Sequence, residues 1–338
     1  MKILVRGTNW IGDSVMSIPA LRELRRIFPD DHITLHIRSW AEGLFAEASF
    51  IDEIVPYDPQ KWKIKDAIDN SDFLRDDGYE LAVLFPNSFE SALTTWLTRI
   101  PRRIGYNKDL RGLLLTDPVP VPEWKSRRHE VYYYLNLIAE AEKRVLGRAS
   151  VGNFEPNSMI DVSAARRDAA VQMLASRGAD LSKPIVAIAA GSANSPEKRW
   201  PAVNFAAVAD RLSSEFQCSV FLVGSKDDAA ISAGVQAAAS SELIDLTAQT
   251  TLEEAVGTLS AVDVVISNDA GLAHVSAAAG TPTIIVFGPT DPTTTRPFSN
   301  NAYVIQGEPW PSVDTVVETA RMLLSEKDER ESEASSIR

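Results

Sequence analysis

A chain of 338 residues with 45% hydrophobic and 24% charged side chains exceeds one ordinary core, and two domains of roughly 150 residues each are expected. The net charge of −12 argues against a general nucleic-acid binder. No apolar run approaches the roughly 20 residues of a membrane span, and one cysteine with four histidines excludes an internal disulfide and a rich metal cluster.

The N-terminus enters a strand pattern at once, ILVRG from Ile3, without the apolar core of a signal peptide, and the expected compartment is the cytoplasm. A helix follows from about Asp13 to Phe28, with Val15, Ile18, Leu21 and Leu24 at helical spacing. HITLHIR, EIVPYD and YELAVLFPN read as further strands separated by helices. RRIGY then precedes a looser stretch rich in proline from Pro118 to Pro122, and HEVYYYLNLIAEAEKRVLG closes the half at Gly147. GNFEPNS, around Pro156, is turn-rich and marks a boundary. A helix from about Ala164 to Arg177 opens a second series of strands, PIVAIAAG, SVFLVG, LIDLT, VVISND, TIIVFG and AYVIQ. Cys218, beside one of them, reads as a small buried hydrophobe. The last helix, near Val313 to Leu324, fits either domain, and an acidic tail follows from Glu326. Such alternation predicts parallel sheets covered on both faces. The expected fold is α/β, two doubly wound Rossmann-like domains at 1–155 and 156–325 facing a central cleft, with a solvated tail at 326–338.

Ligands of open α/β sheets sit beyond the carboxyl ends of the strands, and four such ends stand out. GTNWIGDS brings Gly12 and Asp13 to the start of the first helix; Asp13 suits a helix cap or dipole partner, and the loop is not GxGxxG. In AAGSANSPEKRWP, Gly191, Ser192 and Asn194 beside Lys198 and Arg199 suit a phosphate cradle, with Lys198 as a point charge. The GK[ST] of a P-loop is missing. VGSKDDAA offers Asp227 or Asp228 for a ribose diol, although acids in a first helical turn need no ligand. SNDAGLAHVSAAAGTPTIIVFGPT is a strand, a turn and a helix whose opening amides suit an anion. There Gly271 and Leu272 would hold a diphosphate, Asp269 sugar hydroxyls, and His274 either; Asp269 as a plain N-cap is the alternative. The basic groups Arg22, Arg25 and Arg26, then Arg102 and Arg103, then Lys125, Arg127 and Arg128 read as solvated surface, or as a site for an anionic partner should they converge.

Together GTNWIGDSVMSIPAL, GSANSPEKRWP and SNDAGLAHVSAAAGTPTIIVFGPTDP resemble the heptosyltransferases of glycosyltransferase family nine. The resemblance implies a GT-B fold with an N-terminal acceptor domain and a C-terminal ADP-heptose domain. It implies inverting transfer of L-glycero-D-manno-heptose to the lipopolysaccharide inner core, without metal or other cofactor. The second heptose is the expected addition and the first the alternative. By the same resemblance Asp13 is the base and Lys198 lies near the donor phosphates. Ser192 contacts phosphate, and Asp269, Gly271, Leu272 and His274 bind the donor. Asp227, Leu246 and Thr247 fall on the adenosine side. Ala270 departs from the hydroxyl residue common there. The implied partners are ADP-heptose, an anionic lipid A-core acceptor and, transiently, the inner-membrane surface. A sugar-nucleotide epimerase and a non-catalytic sugar-nucleotide-binding module stay open as rivals, because this architecture hosts many reactions.

Overall fold

The computed structural model describes residues 1–59, 62–152, 155–192 and 195–336, and the chain divides into two compact units, Met1–Ser158 and Met159–Arg338. Among the described residues each unit holds one six-stranded parallel sheet. The first contains β1 (Lys2–Arg6), β2 (His32–Arg38), β3 (Glu53–Tyr57), β4 (Leu81–Leu84), β5 (Arg102–Tyr106) and β6 (Asp117–Val119), in the order β3-β2-β1-β4-β5-β6. The second contains β7 (Ile185–Ala189), β8 (Ser219–Leu222), β9 (Ile244–Asp245), β10 (Val264–Asn268), β11 (Thr283–Phe287) and β12 (Ala302–Gln306), in the order β12-β11-β10-β7-β8-β9. Counted from its own first strand, each sheet runs 3-2-1-4-5-6, the doubly wound order. The switch points, where strand order reverses and ligands bind, therefore lie at β1/β4 and β7/β10.

Why these segments are strands follows from their burial. Leu81 to Leu84, Ile185 to Ala189 and Val264 to Ile266 are buried throughout, because helices cover both faces and no alternation with polar residues is needed. Each fully buried Leu, Ile or Val contributes about 1.5–3 kcal/mol relative to exposure. The covering helices are started by side chains that meet orphan amides. Ser88 and Ser163 accept from the Ser91 and Arg166 amides, and Thr251 forms a capping box with Glu254.

Three features differ from the sequence reading. The proline-rich stretch contains β6, and Pro118 is tolerated there because β6 is an edge strand that needs no donor on its outer side. The last helix runs Val313–Ser336, so the expected tail is helical through Ser336. It joins the second unit, whose core takes Val316, Val317, Ala320, Leu323 and Leu324, spaced to share one helical face. Most of the basic groups are also consumed locally. Arg25 binds Asp52 and three backbone carbonyls, Arg26 binds Glu23, Arg102 binds Asp117, and Arg103 donates to the Leu114 and Ile100 carbonyls. These side chains hold the first unit together rather than converging on an anion. Cys218 is buried, and burial pushes its thiol up to about 11.

Candidate functional site

In the first unit the loop after β1 is drawn onto the helix Ile11–Ile27. Thr8 and Ser14 share a hydroxyl contact of 2.8 Å, and Ser14 Oγ donates to the Trp10 carbonyl at 2.9 Å. Gly12 and Asp13 are half-buried in the first helical turn, where a negative charge suits the dipole. Asp13 does not cap the helix; Trp10 holds that position and no side chain caps it. Its partner is Tyr134, on the helix Glu130–Leu146, whose hydroxyl donates to Asp13 Oδ1 at 2.9 Å. Among the described residues Oδ2 takes no hydrogen bond. Burial pushes the Asp13 carboxyl above its ordinary 3.8; the Tyr134 bond opposes the rise, the Glu130 charge adds to it and Lys125 opposes it. The Tyr134 hydroxyl is itself held well above its ordinary value, by burial first and the Asp13 charge second, so it stays a donor. The result is a carboxylate with one oxygen anchored and one left basic.

In the second unit the switch-point loops are sewn together by Asn268, a wholly buried residue that sequence reasoning did not nominate. Its Oδ1 accepts from the Trp200 amide at 2.9 Å and its Nδ2 donates to the Ala190 carbonyl at 2.6 Å. Lys198 then meets Asp269, Nζ to Oδ2 at 2.5 Å, with 26% and 6% of the two side chains exposed. Asp269 thus pairs with Lys198 instead of capping the helix Gly271–Ala278, whose N-cap is Ala270 without a side-chain bond. Gly271 and Leu272 occupy the first two helical positions, half-buried, where amides lack intrahelical partners. His274 is buried one turn in.

Ser192 is buried, and its carbonyl accepts from Arg199 Nε at 3.3 Å and Nη2 at 3.0 Å. Gly191 lies so close to Asp228 that an added Cβ would collide with the carboxyl group. Asp228 Oδ2 accepts from the Ser225 amide at 2.9 Å and hydroxyl at 2.7 Å. Asp228 is therefore the buried, structural member of the acidic pair, while Asp227 is exposed on the turn Lys226–Asp228. Leu246 is buried beyond β9, and Thr247 Oγ1 donates to Ser232 Oγ at 2.8 Å. Asn194 lies outside the described residues. The structure thus gathers Gly191, Ser192, Lys198, Asp269, Gly271 and Leu272 at one switch point, with Asp227, Leu246 and Thr247 at neighbouring strand ends. Among the described residues no three His, Cys, Asp or Glu side chains converge as a metal would need.

Asn268→Ala would leave the Trp200 amide and the Ala190 carbonyl buried without partners, at about 1–3 kcal/mol each. A lowered melting midpoint in thermal unfolding is the expected result. A parental midpoint would remove Asn268 from the scaffold of this site.

Comparison with known proteins bears on the family and the fold. Glycosyltransferase family 9 (heptosyltransferase) matches residues 71–323. Lipopolysaccharide heptosyltransferase 2 of Salmonella typhimurium (strain LT2) is 30% identical over 312 residues, which is 90% of this chain and 88% of that protein. The protein of the same name from Escherichia coli (strain K12) is 30% identical over 314 residues, with the same coverage. The solved structure of E. coli ADP-heptose LPS heptosyltransferase II matches with a TM-score of 0.84 and 28% identity, over 97% of this chain and 100% of that one. With doubly wound sheets in both units, this chain belongs to glycosyltransferase family 9, the heptosyltransferases, and is a glycosyltransferase of GT-B fold.

Proposed function

We propose that this enzyme transfers heptose from ADP-L-glycero-D-manno-heptose to the lipopolysaccharide inner core, adding the second heptose with inversion and without a metal. The substrate class is supported by the 30% identity to lipopolysaccharide heptosyltransferase 2 over nine-tenths of the chain. The mechanism rests on one observation, the Asp13 carboxyl with one oxygen anchored by Tyr134 and its proton affinity raised by burial. A general base works best when its pKa approaches the operating pH.

In this reading Asp13 Oδ2 takes the proton of the acceptor hydroxyl as that oxygen attacks the anomeric carbon. The new carbon–oxygen bond forms while the bond to the β-phosphate oxygen breaks, and ADP leaves with the electron pair on the opposite face. Lys198 has three donors and gives one to Asp269, leaving two for phosphate oxygens. The Gly271 and Leu272 amides add the positive end of the helix dipole, and Ser192 adds a hydroxyl. Asp269, neutralised by Lys198, is then tolerable beside a diphosphate and binds sugar hydroxyls, and His274, one turn into the helix, serves the sugar or the diphosphate. Gly12 allows close backbone approach, Gly191 makes room for the Asp228 carboxyl that shapes the loop, Asn194 adds a polar side chain, and Asp227, Leu246 and Thr247 serve the adenosine. Among the described residues no helix is long and apolar enough to cross a membrane; the proposed setting is the cytoplasm, with transient contact at the inner membrane where the acceptor resides.

The test is ADP release by the purified enzyme from ADP-heptose, with deacylated core saccharides of defined length. Release is expected with acceptors already bearing one heptose, to continue in EDTA, and to give an inverted anomer by NMR. Release only with acceptors lacking heptose would reassign the enzyme to the first addition. Release without any acceptor, or none at all, would end the proposal.

A further inference from the structure

We infer that the carboxyl edge of the first unit's sheet docks on an anionic phospholipid surface, with Leu110 and Leu113 inserting. The inference deepens the proposed function and rests on it, since that function's acceptor is lipid-linked. In a parallel sheet all carboxyl ends share one edge. Here Trp10 follows β1, Trp40 follows β2, Trp62 follows β3, Phe89 follows β4, and Leu110 and Leu113 follow β5, all exposed and all within seven residues of their strand. Single exposed apolar side chains are ordinary, but a rim of them marks an interaction surface. It is not general to the architecture. In the second sheet no strand end leads, over the same distance and among the described residues, to an exposed large hydrophobic.

Leu110 and Leu113 are 90% and 95% exposed, yet their segment is firmly built. Arg111, between them, is wholly buried and donates to the Tyr106 carbonyl at 2.8 Å, Ser91 Oγ at 3.1 Å and the Pro86 carbonyl. A Cβ on Gly112 would collide with the Asn107 amide. Asp109 and Leu110 have φ of 53° and 62°, a left-handed conformation that non-glycine residues avoid and that persists only where surroundings enforce it. Inward anchoring of Arg111 is what turns both leucines outward.

Charge chooses the occupant. After β5 and β6, Lys108, Arg127 and Arg128 lie at the surface with Asp109 and Glu123, while Arg111 is buried and Lys125 is paired with Glu130. Among the described residues Lys108, Arg127 and Arg128 are exposed without an ion pair, and Arg128 lies over Tyr132 at 3.7 Å. Leucine spikes, tryptophans and cations left without an acidic partner suit an anionic headgroup interface.

The experiment is flotation of the full-length enzyme with phosphatidylethanolamine vesicles containing phosphatidylglycerol, beside pure phosphatidylcholine vesicles. The parent is expected to float with the anionic vesicles and to be released by salt. The L110S/L113S variant should need at least about tenfold more lipid for half-binding, with its melting midpoint and its turnover on a deacylated acceptor unchanged. A parent that fails to float, or a variant that floats as well as the parent, would overturn the inference. So would a concentration-dependent dimer lost in the variant, which would make the occupant a second copy. Turnover on the soluble acceptor is read separately, so failure of the enzymatic proposal would register there and not in flotation.

Discussion

Asp13→Asn is expected to lower turnover by about 10²–10⁴-fold while leaving the melting midpoint at or above that of the parent. The amide keeps the shape of the carboxyl and can still accept the Tyr134 hydroxyl at Oδ1, so packing is preserved and only the proton acceptor is lost. Donor affinity should persist, because the residues proposed for ADP-heptose belong to the second unit. The stability argument follows from the direction of the shift. The folded-state pKa lies above the ordinary 3.8, so folding binds protons there. This group's stabilisation is complete in acid below 3.8 and is lost as pH rises through the raised folded value. The ionised carboxylate is thus a cost at neutral pH, which Asn removes. For the parent, the acid limb of kcat/KM should lie above 3.8, the ordinary value for an aspartate. Asn with parental turnover, or an acid limb at 3.8 or below, would remove Asp13 as the base.

Lys198→Met should cost about 10²–10³ in kcat, the usual effect of losing one donor to developing negative charge. It should also destabilise the protein, because Asp269 is almost wholly buried and Lys198 is its partner. Breaking a buried pair costs about 3–5 kcal/mol, and the partial exposure of Lys198 reduces the expectation to about 1–3 kcal/mol. The two effects separate in a double-mutant cycle. Adding Asp269→Asn should restore the melting midpoint and leave turnover low. Should Lys198→Met melt early yet turn over at the parental rate, the lysine is structural. Should the double variant recover turnover, the charge of Lys198 plays no part in ADP departure.

How much of the site could be read in advance depends on the range of the forces involved. Buried β-branched runs such as VVISN report their environment directly, because a strand covered on both faces has no polar alternation to hide it. The helix starts that end these runs were legible for an equally local reason, the amides left without partners in a first helical turn. Tyr134 was not legible, since it stands 121 residues from Asp13 in a helix whose tyrosines read alike. Asn268 was quoted within its motif but not recognised, because its partners Trp200 and Ala190 lie 68 and 78 residues away. Asp227 and Asp228 are neighbours of one type, and only contact with Gly191 and Ser225 makes one structural and leaves the other exposed. The basic groups misled in the same way: Arg25 and Arg102 carry no local sign of the acids and carbonyls that neutralise them.

Sequence alone determined the number of sheets, their parallel sense and the family, because each of these depends on periodicity or on contiguous motifs. Tertiary structure alone decided which oxygen of Asp13 is anchored, that Asp269 neutralises Lys198, which unit takes the last helix, and that Leu110 and Leu113 face solvent while Arg111 does not. Those outcomes depend on desolvation and on hydrogen bonds between residues far apart in the chain. Such energies exist only once the sheets have brought the partners within a few ångströms.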